Sequence, residues 1–469
     1  MAYNDFRQFL AALRERGELI DIDRPVALCD VGKVLVHAYA NGGMGIQFND
    51  ISTELASGPA PERGSKIPLV CGVYSTRKKA LLAFEATEEN LFKQVLAGLD
   101  KPIAPVLVKG PAPCHEVVIT GRDIDITKFP IPKYSPKDGG PYITPGIVVS
   151  KDPETGVPDI GHYRFLILSK NTFSFSAQPF HRFGKNLAKC QKMGAKPKGA
   201  LVIGVDPILA YTCQVQVHDQ TNDWEIAGGL RGAPVELVKA KTCDLEVPAT
   251  AEVVIEFEVD MENMVMEGPL GEYTGYYTPA SMKPVATITA ITHRKNPIFQ
   301  GLLTGKPVTE NHILKQVPFE ASFYKTLKSQ FPTIKDVSVR ASAGVSFYTV
   351  ISMEPRFKGE PRQVMLSAMA SNIRPKWVIV VDPDIDVHSS TDVEWAMAFR
   401  FQPHRDMVMQ DGIPAGPSDP SIDDPKQARP TRIGSAIGID CTRPYGQPYS
   451  EVADVPGWDE ITVPELMKR

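Results

Sequence analysis

AEVVIEFEV, residues 251–259, decides how the middle of this 469-residue chain is read. Val253, Ile255 and Phe257 fall on one side and Glu252, Glu256 and Glu258 on the other, with Val254 the one exception. Successive side chains leave a strand on opposite sides, so this alternation predicts a strand buried on one face. Runs 115–119, 146–150, 163–168, 201–205 and 285–292 are strand-like too. Turn residues such as Asp138-Gly139-Gly140 and Asp152-Pro153 separate them. Many strands with few helices predict a β-rich central domain, a barrel or a sandwich.

The flanks have a different rhythm. Phe6, Phe9, Leu10 and Leu13 follow the spacing of one helical face, with Asn4 or Asp5 to cap its start and Gly17 its end. A strand over 19–22, helices over 29–39 and 90–99 and a loop over 52–66 complete this part. The last third alternates again: a helix over 311–329, a strand over 345–353, a helix over 362–372 and a buried strand over 377–381. A further helix spans 392–401, with Thr391 and Glu394 as its capping box. Residues 403–435, rich in Pro, Asp and Gly, read as irregular, and 464–469 as a short helix. The expected fold is therefore mixed α/β (α+β), with domains 1–110, 111–305 and 306–469.

Composition narrows the class. An apolar fraction of 43% suits several buried cores, and a net charge of −4 gives no footprint for nucleic acid. No run of 18 apolar residues occurs, so no membrane span is expected. MAYNDFRQFL is broken by charges at once and does not read as a secretory signal. The seven cysteines are scattered, none forms a CxxC, and no N-x-[ST] sequon occurs. That pattern points to a reducing, cytoplasmic setting without a disulfide framework.

Several motifs fail on inspection. Residues 301–306 (GLLTGK) have three residues between the glycines, not four, and Pro307 stands where a phosphate loop needs Ser or Thr. Asp382, Asp384 and Asp386 open like a calcium loop, but Val387 and Val393 occupy the required Gly and Glu positions. They read as solvated acids at a strand end. GxGxxG and HExxH are absent.

EGPLGEYTGYY, residues 267–277, is different. Glu267 and Glu272 would lie roughly 140° apart around a helix, but Pro269, Gly268, Gly271 and Gly275 favour a loop or bulge. A bulge can aim both acids into one cavity, where neighbouring carboxylates push one pKa up and an arginine between them holds the other ionised. The competing reading is a glycine-rich turn with solvated acids.

The wider sequence resembles the UbiD family of prenylated-FMN-dependent (de)carboxylases. KDPETGVPDIGHYR, DWEIAGGLRG, DLEVPATAEVVIE, EGPLGEYTGYY, HRKNPIF, VIVVDPDIDV and DVEWAMAFRFQP carry the resemblance, along with the opening MAYNDFRQFLAAL. It implies a split-barrel-like central cofactor domain and a C-terminal domain that makes a homodimer or higher homo-oligomer. The implied chemistry is reversible, non-oxidative decarboxylation of an aromatic, heteroaromatic or α,β-unsaturated acid. Glu272 would be the proton donor, Arg164 the bridge that orients the substrate carboxylate, and Glu267 its anchor.

The implied metal, Mn²⁺ or Mg²⁺, would be held by Asp159, His181 and Glu225, with Asp159 standing where the family has Asn. Ile160, Arg164 and Arg400 join these as implied cofactor contacts, Arg400 near a K⁺ ion. Arg374 or Lys376 would replace a family phosphate-binding lysine. The implied partners are carbon dioxide, the acid substrate and a flavin prenyltransferase that supplies the cofactor. Lys306, His312 and Lys315 are candidates for a second acidic group or a hydroxyl on the substrate. A flavin reductase, a metal-dependent hydrolase and a non-catalytic cofactor-binding subunit are the competing readings.

Overall fold

Six strands close on themselves in the middle of the chain: β1 (Tyr142–Lys151), β2 (Pro158–Ile167), β3 (Thr172–Phe175), β4 (Lys198–Ile203), β5 (Val253–Glu267) and β6 (Ser281–His293). Their order is β3-β2-β1-β4-β5-β6, and β6 returns to β3 through Phe173↔Ala286. Every pairing in the ring is antiparallel. Closure leaves the ring without an exposed edge. The structure, a computed structural model, describes residues 3–52, 65–416, 418–422, 432–453 and 455.

The barrel interior is aromatic. Phe165 meets Phe173 at 4.8 Å between ring centroids, and Phe173 meets Phe257 at 5.2 Å. Ile255 and Phe257 point into this core as the alternation predicts. The outer surface is not solvent, however. Val254, Ala200 and Val202 pack outward against Trp224 and Val247, which explains the exception in the alternation. Glu252 and Glu256 are completely buried too, against the expectation of an exposed acidic face. Glu252 accepts from Arg7 Nε at 2.7 Å and from the Ile298 N–H at 3.0 Å. Glu256 accepts from the backbone N–H groups of Lys241 and Thr242 at 2.6 and 2.5 Å. Buried carboxylates persist where such donors replace water. Only Glu258 stays partly exposed, paired with Lys196 at 3.2 Å.

Helices Arg182–Lys192, Pro207–Thr212 and Asp223–Arg231 lie in this central region, which the strand-dominated reading left almost without helices. The N-terminal helix Phe6–Glu15 is as expected: Asp5 caps it by accepting from the Gln8 N–H, and Phe6, Phe9, Leu10 and Leu13 are buried. A four-stranded sheet joins Leu19–Ile22, Gly45–Phe48 and Leu69–Cys71 to Phe299–Gln300. The chain thus returns to its N-terminal sheet directly after the barrel.

The C-terminal sheet orders its strands Ile334–Val339, Tyr348–Met353, Trp377–Val381, Ile433–Cys441 and Met407–Pro414. Part of the segment expected to be irregular is therefore an antiparallel edge pair. Met407–Pro414 lies at the rim and buries no residue, so it has no alternating apolar signal to read. The helix Ser390–Phe399 starts at Ser389, whose Oγ accepts from the Asp392 N–H at 3.2 Å, and not at a Thr391 box. The long helix Glu310–Gln330 matches its expected span and connects the barrel to this sheet. Most of the expected 52–66 loop and the expected 464–469 helix lie outside the described residues. Among the described residues no helix is long and apolar enough to cross a membrane.

Candidate active site

β5 ends at Glu267, and the chain then turns through the glycine-rich segment. Gly268 has φ +100°, and a Cβ there would meet Ala280 Cα at 3.0 Å. Asp138 holds the far side of the turn by accepting from the Gly271 N–H at 2.9 Å. Glu272 closes it, its N–H bonding the Tyr276 carbonyl at 3.0 Å. The expected loop or bulge is a tight hairpin that pairs Leu270–Gly271 with Tyr277–Thr278, and it brings both acids to one partner.

That partner is Arg164 on β2. Its Nε and Nη2 donate to the two oxygens of Glu267, each at 3.0 Å. Its Nη1 donates to Glu272 Oε1. Glu267 is wholly buried and also accepts from the Tyr142 hydroxyl at 2.9 Å. Glu272 keeps 20% of its side-chain surface, and its second oxygen has no hydrogen bond among the described residues. The two acids thus have separate places, one anchored and one open. Burial of the phenol beside Glu267 pushes the Tyr142 pKa up, so this hydroxyl remains a donor. Tyr142→Phe is expected to cost about 1.5–3 kcal/mol, the range for a hydrogen bond to a charged group. Chemical denaturation would measure it, and no loss would show that Arg164 alone satisfies Glu267.

Arg164 and Glu272 line a cavity of about 330 Å³. Thr144, Ser176, Gln178 and Gln214 give it amide and hydroxyl groups, and Leu270, Leu302 and Leu314 give it apolar wall. His162, near Arg164 on β2, is half-buried; desolvation lowers its pKa to about 4, and Gln214 contacts its Nδ1 at 3.0 Å. It is therefore neutral at pH 7.

The cations considered for substrate binding separate clearly. Lys306 is exposed and does not line the cavity. His312 is buried with both ring nitrogens engaged: Nδ1 accepts from the Thr309 N–H at 3.0 Å, which leaves Nε2–H to donate to the Tyr273 carbonyl at 2.6 Å. Burial lowers its pKa to about 4, so it is a neutral clamp on the acid-bearing turn and has no free nitrogen for a substrate. Lys315 lies one helical turn further on and does line the cavity. Burial brings its pKa down to about 8, with Glu272 opposing.

The residues assigned to the metal are not drawn together. His181 lines the cavity beside Phe180, its pKa lowered by burial and by Lys315. Asp159 faces a neighbouring cleft, where Arg182 Nε stands 3.2 Å from it and the Ser150 hydroxyl bonds it at 3.2 Å. Glu225 accepts from the Asn222 side chain at 3.1 Å. Among the described residues no group of three or more His, Cys, Asp or Glu could hold a metal ion. Asp223, within the DWEIAGG stretch, binds both Arg182 at 2.8 Å and the Ile160 N–H at 2.8 Å. Sequence reasoning missed Arg182 and Asp223, although the unmatched extra charge of Asp159 was a signal to look for a nearby cation.

Arg400 is not brought to the cavity either. It is buried in the C-terminal region, 3.1 Å from Asp382 and 2.7 Å from Asp384. Those two acids, expected to be solvated, exist as partners for Arg400 and Arg443. Lys376 is tied to Asp419 at 3.1 Å, and it and Arg374 line a separate cleft.

Comparison with known proteins agrees with the barrel. Residues 106–307 match the 3-octaprenyl-4-hydroxybenzoate carboxy-lyase Rift-related domain, and residues 312–441 match the C-terminal domain of the same enzymes. An uncharacterised protein of Archaeoglobus fulgidus is 31% identical over 95% of this chain and 93% of its own. The UbiD-class enzyme HmfF of Pelotomaculum thermopropionicum, solved in complex with FMN, superposes with a TM-score of 0.89 at 30% identity, over 98% of this chain and 99% of that one. The vanillic acid decarboxylase of Sedimentibacter hydroxybenzoicus gives 0.87 at 28% identity over 98% of both chains. The 3,4-dihydroxybenzoic acid decarboxylase AroY of Klebsiella pneumoniae gives 0.85 at 26% over 99% of both. The chain belongs to the UbiD family, and it is a UbiD-class carboxy-lyase.

Proposed function

We propose that this carboxy-lyase releases carbon dioxide, reversibly and without net oxidation, from an aromatic, heteroaromatic or α,β-unsaturated acid. Prenylated FMN is its cofactor and Glu272 its proton donor. The observation that carries this reading is the Arg164 fork between a buried Glu267 and an open Glu272 on the wall of one cavity. The amide and hydroxyl groups of that cavity, beside its leucine wall, suit the polar edge and flat face of a flavin. HmfF supports the choice, having been solved with FMN and, in an evolved dimeric form, with prFMN.

A bound flavin supplies the electron sink that carbon–carbon cleavage needs and that no side chain here offers. The chain's own residues do the rest. A guanidinium has five N–H donors, and three are used on the glutamates, so two remain for a substrate carboxylate. Glu267 fixes the plane of the fork, which sets the carboxylate's orientation. Glu272 presents its free oxygen to the cavity, where it can hold and give up the proton that replaces carbon dioxide. The leucines keep water from that carbon.

Mn²⁺ (or Mg²⁺) at His181 and Glu225 belongs to the same proposal, but the arrangement of Asp159 does not gather the set, so no step is routed through a metal. Purified Glu225→Ala is expected to lose bound manganese and flavin together, measured by metal analysis and absorbance. Full flavin occupancy in that variant removes Glu225 from the ligands.

The boundaries 1–110, 111–305 and 306–469, a homo-oligomeric state and supply by a flavin prenyltransferase complete the reading; the matched ranges 106–307 and 312–441 support the division. Co-expression with a flavin prenyltransferase, followed by assay of carbon dioxide release over a panel of such acids, tests the whole. Release without any flavin would instead favour a hydrolase-like site.

A further inference from the structure

Every arginine described around the acids has a carboxylate partner: Arg164 holds Glu267 and Glu272, and Arg182 holds Asp159 and Asp223. Lys315 does not. It makes no salt bridge and no hydrogen bond among the described residues, although it lines the cavity. Its ammonium lies instead over two rings, 4.8 Å from the centroid of Tyr273 and 4.8 Å from that of Phe319. An aromatic face attracts a cation but offers no lone pair to its three N–H donors. A desolvated ammonium left in that state is costly unless an anion arrives to pair with it.

The position is held firmly. Lys315 projects from the helix Glu310–Gln330, and His312 on that helix is hydrogen-bonded to the Tyr273 carbonyl. Tyr273 directly follows Glu272 in the chain. The helix, the ring under the ammonium and the open acid are therefore joined through one hydrogen bond and one peptide link. Any ligand whose carboxylate is held by Arg164 lies in a cavity whose wall also carries a second cation, one that makes no salt bridge among the described residues.

We propose that Lys315 receives a second anionic group on the substrate, so that the enzyme prefers diacids, or acids with an equally ionised second substituent, over simple monoacids. This rests on the reading of Arg164 as the holder of the reacting carboxylate. The shared cavity wall gives a specificity role: Lys315 selects the far end of the molecule while Arg164 and Glu272 act on the near end. The chemistry needs nothing from Lys315 except its charge.

The test is binding, so that it does not depend on turnover. Flavin-loaded protein is titrated calorimetrically with benzoate and with terephthalate (benzene-1,4-dicarboxylate), in wild type, Lys315→Met and Lys315→Arg. Wild type is expected to bind terephthalate at least tenfold more tightly. That preference should vanish in Lys315→Met and survive in Lys315→Arg, with flavin content and melting temperature of Lys315→Met not reduced. Equal preference in wild type and Lys315→Met overturns the proposal. So does loss of flavin from Lys315→Met with the preference intact, which would assign the lysine to the cofactor phosphate. If the preference behaves as expected but no acid of any kind releases carbon dioxide, the reaction reading fails and the anion site stands.

Discussion

Glu272→Gln leaves a folded, flavin-binding protein whose carbon dioxide release falls by about 10²–10⁴-fold, the range for loss of a positioned general acid. The fold survives because glutamine keeps the shape and an oxygen for Arg164 Nη1 to bond. Glu272 is also partly open to the cavity, so no buried charge is stranded by the change. Among the described residues that line the cavity, Glu272 is the one carboxyl group. Glu267 is sealed beneath Arg164 and Tyr142, and His162 and His312 are neutral and occupied. Single-turnover release of carbon dioxide, with exchange of solvent deuterium into the product, separates the proton step from binding. A variant that retains near-native turnover removes Glu272 from the role of donor.

Arg164→Ala is the second large effect, and it acts on stability as well as turnover. It leaves Glu267 buried with only the Tyr142 hydroxyl, and stranding one partner of a buried pair costs about 3–5 kcal/mol. Activity should be lost altogether, since the same side chain positions Glu272 and the substrate carboxylate. Arg164→Lys retains the charge but not the fork, so it recovers part of the stability and little of the activity. The decisive comparison is the double variant Arg164→Ala/Glu267→Gln. Removing the stranded charge should return most of the lost stability in urea titrations while turnover stays absent. Strict additivity of the two changes would show that the pair contributes nothing as a pair.

These predictions draw on features that differ in how readable they were. Period-two alternation in 251–259 placed a barrel strand correctly, and the 310–330 helix was found within a residue at each end, because both patterns report local geometry that every residue repeats. The edge strand Met407–Pro414 was missed because a strand with no buried face carries no such pattern. The turn after Glu267 was readable from its glycines and proline, whose backbone preferences act over one or two residues.

By itself, then, the sequence determined the strongly patterned strands and helices, the irregular turn that bears two acids, and a family resemblance through motifs spread over most of the chain. Only the tertiary structure decided which charge meets which. Glu252 and Glu256 look like an exposed face until Arg7 and the 294–298 segment cover the first and Lys241 and Thr242 the second. Asp159 reads as a metal ligand, yet Arg182 and Ser150 are bonded to it. Arg400 reads as a cofactor contact, yet Asp382 and Asp384 hold it. Lys306, His312 and Lys315 are alike on the page, and folding leaves one exposed, one bonded through both nitrogens and one without an anion. The physical reason is range: backbone preference is set by neighbours in the chain, whereas the partner of a charge is set by whichever distant segment the fold brings within a few ångströms.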